Sequence, residues 1–183
     1  MRISRVQIEN FRNFKLLDVE LGQNIVLVGE NKSGKSNFIQ ALRLVLDPSL
    51  SESDRQLTDQ DFWDGDGEPP FNGRQIKVSI QFTDFADEGS IEFLPLSWLG
   101  DCLIAEKPKR VAQITYLYYE DRKASSGVEP INRPSGQDDY EYKIFAGNNP
   151  DKPFKFRGMQ RDIPLQLIEA LRDIAGDTKV PLC

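Results

Sequence analysis

Gly29-Glu30-Asn31-Lys32-Ser33-Gly34-Lys35-Ser36 places glycine, four free positions, then glycine, lysine and serine in one short run. That spacing suits phosphate chemistry. Gly29 and Gly34 permit backbone conformations that side chains forbid, so successive N–H groups can turn inward around phosphate oxygens. Lys35 is the catalytic candidate, aimed at β- and γ-phosphates, and the Ser36 hydroxyl is the candidate metal ligand, completing a magnesium shell. The expected cofactor-binding set is Gly29, Glu30, Asn31, Lys32, Ser33, Gly34, Lys35, Ser36 and the adjoining Asn37, with ATP and Mg2+ as cofactors. Such a site is electrostatic rather than covalent.

A phosphate loop of this kind must sit between a strand and a helix, and the flanking residues read that way. Asn24 to Val28 is a short apolar run ending at Gly29, which predicts a central strand buried on both faces. After the loop, Phe38, Ile39, Leu42, Val45 and Leu46 recur at helical spacing until Asp47-Pro48 stops the pattern. The helix N-terminus adds its positive dipole to the anion site. Upstream, Arg5 to Glu9 and Leu17 to Leu21 alternate apolar and polar, predicting two half-exposed antiparallel strands. Downstream, Ile76 to Phe82 alternates cleanly, and 111–120 and 140–145 read as two more strands. Residues 51–75 and 121–139 read as exposed loops, with only LTDQDFW docking in the first, and Leu165, Ile168, Leu171 and Ile174 predict an amphipathic helix.

Composition narrows the chemistry further. The 183 residues suit one domain or part of one, with 28% charged and 39% hydrophobic residues. There is no histidine, which removes histidine acid-base catalysis, histidine-metal sites and Ser-His-Asp triads from this chain. Two distant cysteines, Cys102 and Cys183, suggest neither a disulfide framework nor a zinc site. The net charge of -6 gives no general attraction to nucleic acid, so DNA contact must be argued locally or from resemblance. No run approaches the roughly 20 apolar residues of a membrane span, and a cytoplasmic protein without membrane partners is expected.

Other clusters have plainer readings. In DQDFWDGDGE, carboxylates from Asp64 fall at calcium-loop positions, but Pro69 and Gln75 stand where glycine and glutamate are required. A solvated loop with Phe62 and Trp63 tucked inward fits better. Lys107, Lys109 and Arg110, like Arg122 and Lys123, suit either DNA phosphates or a charged strand edge. Tyr116, Tyr118 and Tyr119 read as strand residues rather than a base-stacking platform.

MRISRVQIENFRNF followed by NIVLVGENKSGKSNFIQALRLVLDP resembles the first lobe of ABC-type ATPases of the SMC and RecF group. Within that group, LDPSLSESDRQLTDQDFWDGDGEPP and IKVSIQFTDF are most similar to the OLD (overcoming lysogenization defect) family of ATP-dependent endonucleases, with relatives in anti-phage defence. The resemblance implies an α/β P-loop NTPase fold: an ABC-ATPase first lobe with a mixed sheet and an antiparallel β subdomain, as a partial domain. It adds Arg12 and Asn13 as nucleotide contacts, against the alternative of a solvated β-turn. It also implies DNA as a partner of the full-length protein and a homo-oligomer, dimer or tetramer.

The sequence departs from that family by holding no LSGGQ-like signature, no apolar strand ending in Asp-Glu (Walker B) and no Toprim arrangement. Residues 1–183 are therefore expected to be the N-terminal part of the ATPase domain, binding nucleotide and hydrolysing it poorly alone. Two alternatives stay open: a RecF- or SMC-like DNA repair ATPase without nuclease, and a non-catalytic nucleotide-binding regulatory subunit.

Overall fold

The computed structural model describes residues 1–85, 102–105, 109–121 and 135–151. The helix expected over 165–174, the basic residues Lys107, Arg122 and Lys123, and most of the expected 121–139 loop lie outside these. The described chain forms β1 (Arg2–Phe11), β2 (Phe14–Glu20), α1 (Lys35–Leu46), α2 (Glu52–Arg55), β3 (Ile76–Thr83), β4 (Leu103–Ala105), β5 (Val111–Glu120) and β6 (Tyr140–Ala146). The sheet runs β2-β1-β3-β5-β4, with β6 also paired to β5, and every described pair is antiparallel.

The alternation in sequence decides which face is apolar, although on the other face Ser79 and Thr115 are also buried, their hydroxyls hydrogen-bonded at 2.9 Å. Val6, Ile8, Val78, Ile80, Ile114, Tyr116 and Tyr118 are fully buried, while their neighbours Gln7, Lys77 and Gln113 stay partly exposed. The register places Val6 opposite Ile80 and Ile80 opposite Ile114, so three strands share one apolar stripe. α1 lies against β3 and β5 and buries Phe38, Ala41, Leu42, Leu44, Val45 and Leu46. Tyr116 and Tyr118 are therefore core residues, as expected, and their hydroxyls donate to the Arg55 and Leu57 carbonyls at 2.5 and 2.8 Å. Tyr119 faces the other way beneath Lys143, whose Nζ is 4.5 Å from the ring centroid.

Two expectations need correction. Residues 24–28 are not a central strand among the described residues: the run is irregular, without a ladder partner, and Ile25, Val26, Leu27 and Val28 are 44%, 82%, 41% and 88% exposed. An apolar run states that residues favour burial, whereas a strand also needs neighbours to take its N–H and C=O groups, and no described strand lies beside it.

The second correction concerns 51–75, which is more than an exposed connection. Ser51 Oγ accepts from Asp54 N while Asp54 Oδ2 accepts from Ser51 N, both at 3.1 Å, and this reciprocal cap starts α2. The helix turns Arg55 inward to 6% exposure. Its guanidinium donates to the carbonyls of Leu44 at 3.3 Å, Asp47 at 2.5 Å and Leu50, closing the C-terminal end of α1 where carbonyls lack helical partners.

Candidate phosphate-binding site

The loop between β2 and α1 folds back on itself. Ser33 N donates to Glu30 O at 3.2 Å, Lys32 takes φ 70° and Gly34 φ 97°, which turns the chain into the helix. Gly34 is needed twice over: its backbone is left-handed, and a Cβ there would overlap the Asn13 amide. At Gly29 a Cβ would come within 2.6 Å of Ser33 Oγ. Asn31 and Lys32 are exposed on the outer turn.

Lys35 reaches into this loop. Its Nζ donates to the carbonyls of Gly29 at 2.5 Å and Glu30 at 2.6 Å, with Ser33 Oγ at 3.4 Å. The ammonium thus sits inside the ring of loop residues, held only by backbone oxygens and a hydroxyl that an anion can replace. The first helical bond of α1 runs from Phe38 N to Gly34 O at 2.9 Å. The amides of Lys35, Ser36 and Asn37 precede it and have no intrahelical acceptor. The first turn carries no acidic residue to neutralise the helix dipole.

Ser36 is exposed in that first turn. Among the described residues no group of three or more His, Cys, Asp or Glu side chains could hold a metal. This donor set fits magnesium held by one hydroxyl, phosphate oxygens and water, the arrangement Mg2+ favours.

A second set of groups closes on the same helix end from the β1–β2 turn. Asn10 and Arg12 take φ 56° and 49°, left-handed conformations that bend the hairpin tightly. Arg12 Nε donates to Asp61 Oδ1 at 2.9 Å and its Nη1 to Asn37 Oδ1 at 3.1 Å, while Asn37 Nδ2 donates to Asn13 Oδ1 at 2.8 Å. The structure thus joins Arg12, Asn13, Gly34 and Asn37 in one patch and Gly29, Glu30, Ser33 and Lys35 in another, both at the start of α1. Asp61 was not singled out as a site residue from sequence. Its signal was present in Thr58-x-x-Asp61, a turn-capping spacing, but the link to Arg12 across 49 residues is tertiary.

The remaining charged candidates stay apart from this site. Lys109 is 74% exposed and lies 3.9 Å from Asp84. Phe62 is buried in the core, and Trp63 is partly buried with Lys15 Nζ 4.7 Å from its ring centroid.

A glycine-framed loop, an inward lysine and an uncompensated helix N-terminus backed by a β-sheet define a phosphate-loop nucleotide-binding module. The chain belongs to the AAA ATPase domain family, whose model matches residues 1–162. It is 42% identical over 84 residues to uncharacterized protein YbjD of Escherichia coli (strain K12), covering 45% of this chain and 14% of that protein. Endonuclease GajA of Bacillus cereus (strain VD045) is 42% identical over 50 residues, covering 27% of this chain and 9% of that protein. DNA replication and repair protein RecF of Lactobacillus acidophilus is 35% identical over 159 residues, covering 80% of this chain and 40% of that protein. The chain therefore spans less than half the length of these relatives. An SMC ATPase structure aligns with a TM-score of 0.47 at 17% identity, covering 91% of this chain and 81% of its own, a likeness too loose to bear weight. No helix among the described residues is long and apolar enough to cross a membrane.

Proposed function

We propose that residues Gly29 to Asn37 bind the phosphates of ATP with magnesium, and that Arg12 and Asn13 contact the same nucleotide. The observation that carries this is the Lys35 ammonium, held within 2.6 Å of the Gly29 and Glu30 carbonyls inside the loop. It needs only to exchange carbonyls for phosphate oxygens. Lys35 is then the catalytic cation toward the β- and γ-phosphates, and Ser36 the metal ligand. Calorimetric titration of MgATP is expected to give binding that falls at least about 100-fold in Lys35→Ala, as loss of a charge-assisted phosphate contact implies. Equal affinity in both proteins would remove the phosphate-loop reading.

In a larger frame, this segment is the ATPase part of a DNA-processing protein, with OLD-type ATP-dependent endonucleases of anti-phage defence as the first reading. The local identity to the endonuclease GajA supports it. A RecF- or SMC-like ATPase without nuclease is the second reading, supported by the longer match to RecF, 159 residues against 50. Either way, γ-phosphate cleavage needs an acid that this sequence lacks in a suitable strand context, and a homodimer or tetramer would supply a composite site. Phosphate release with and without DNA, measured on the full open reading frame, separates a DNA-coupled ATPase from a nucleotide-binding regulatory subunit. Nicking of plasmid DNA in the same reactions separates the two enzymatic readings.

A further inference from the structure

Asp61 lies outside the phosphate-loop motif, yet its carboxylate is buried and divided between two tasks. The residue is 9% exposed. Oδ2 accepts from Thr58 N at 2.9 Å and Thr58 Oγ1 at 3.1 Å, which closes the turn at Asp59–Asp61. Oδ1 accepts from Arg12 Nε at 2.9 Å. The main chains are joined as well: Arg12 N donates to Asp61 O at 2.8 Å, Trp63 N donates to Asn10 O at 3.0 Å, and Phe11 pairs with Phe62. Phe62, 3% exposed, roots the turn in the core.

Closing the turn requires only Thr58 and one carboxylate oxygen, so the second oxygen is spent on orienting Arg12. With Nε on Asp61 and Nη1 on Asn37, two of its three nitrogens are fixed, and Nη2 has no protein acceptor among the described residues. The Arg12 side chain as a whole is 36% exposed, so it is not sealed from solvent, and Nη2 is the nitrogen left to take a ligand oxygen. A long cationic side chain held in one rotamer loses less entropy on binding an anion than one that must be ordered first. Arg12 also keeps a left-handed backbone at φ 49°, which a non-glycine residue holds only where surrounding contacts over-determine it.

We propose that Asp61 is a positioning residue of the nucleotide site, locking Arg12 so that Nη2 is held beside the first turn of α1 as a phosphate donor. This rests on the phosphate-loop reading above. The test is a double-mutant cycle on MgATP affinity, with thermal unfolding to confirm that each variant is folded. Asp61→Asn and Arg12→Gln are each expected to weaken binding about tenfold, and the double variant to bind no more weakly than Arg12→Gln alone. Thr58→Ala, which loosens the turn but leaves the Arg12 pair, is expected to change affinity less than about twofold.

Additive losses, or Asp61→Asn binding like the unaltered chain while Lys35→Ala loses affinity, would overturn the positioning role and leave the phosphate loop standing. No effect of Lys35→Ala would overturn both. Should Asp61→Asn fail to fold, hydrogen exchange of Arg12 Nε–H in the unaltered chain decides the matter. Protection both before and after MgATP addition supports the clamp, and loss of protection with nucleotide overturns it.

Discussion

The antiparallel sheet and the phosphate-loop segment 22–34 adjoin in sequence and are held by different forces. In the sheet, β1 is hydrogen-bonded on both sides and its Val6, Ile8 and Phe11 are fully buried. In the loop segment, every residue from Gly22 to Ser33 is exposed; within it the main chain makes the bond from Ser33 N to Glu30 O, and Lys35 Nζ reaches back to the Gly29 and Glu30 carbonyls. What positions the loop comes from outside it: Asn13 against Gly34, Arg12 and Asn13 against Asn37, and α1 rooted by Arg55 at its far end. The stable half of the molecule thus acts as a frame for a half whose form is set by few contacts, an arrangement suited to a loop that must rearrange around a ligand.

The largest effect that separates the two halves is expected in the middle of the sheet. Ile80 is fully buried between Val6 and Ile114. Ile80→Ala should lower unfolding free energy by about 2–5 kcal/mol, the range for deleting a buried aliphatic side chain. Urea denaturation with an unchanged m-value checks it. A loss below about 1 kcal/mol would mean that the core relaxes freely and that the sheet is not the rigid frame.

A smaller effect tests how the helix end carries load between the halves. Asp47, 6% exposed, closes α1. Burial pushes its carboxyl up, but hydrogen bonds from Ser49 and Arg43 outweigh burial and hold it below the ordinary aspartate value. A depressed folded value means stability is present above the unfolded value and is lost as pH falls through the folded one. The stability of the unaltered chain should therefore decline below about pH 4, where ordinary aspartates take up protons. Asp47→Asn should be less stable at neutral pH by about 1.5 kcal/mol, the worth of charged hydrogen bonds. It should also show a shallower acid limb. Equal acid slopes in both proteins would dissociate Asp47 from that limb.

Much of the frame was legible because its signals are local. Alternation at 76–82 gave a strand and its core face, 111–120 read as a further strand, and the spacing of Phe38, Leu42, Val45 and Leu46 gave α1. The phosphate loop was legible for the same reason, since its residues are contiguous. Asp61 was not, because pairing with Arg12 depends on how a distant turn is brought back to the hairpin. Arg55 was not singled out in the sequence either. Its burial follows from the unpaired carbonyls at the end of α1, a demand that appears only once helix and turn are packed. β4 escaped notice because three residues carry no periodicity.

The run 24–28 marks where sequence and structure part most sharply, and the smallest predicted effect decides between them. Val26 and Val28 are 82% and 88% exposed, whereas Val78, the same residue type in β3, is fully buried. Val78→Ser should cost about 2 kcal/mol or more, from lost burial and a buried hydroxyl. Val26→Ser and Val28→Ser should each shift stability by no more than about 0.5 kcal/mol, as exposed positions do. Parallel urea titrations of the three variants make the comparison direct. If the serine at 26 proves as damaging as the serine at 78, the run is buried after all, as its unbroken apolar character predicts. The loop half would then be held by a strand as firmly as the sheet half. If the difference stands, the valines at 26 and 28 are not what holds the loop, and the Lys35 bonds to the Gly29 and Glu30 carbonyls, with the Arg12–Asn37 and Asn13–Gly34 contacts, become the principal restraints on its geometry.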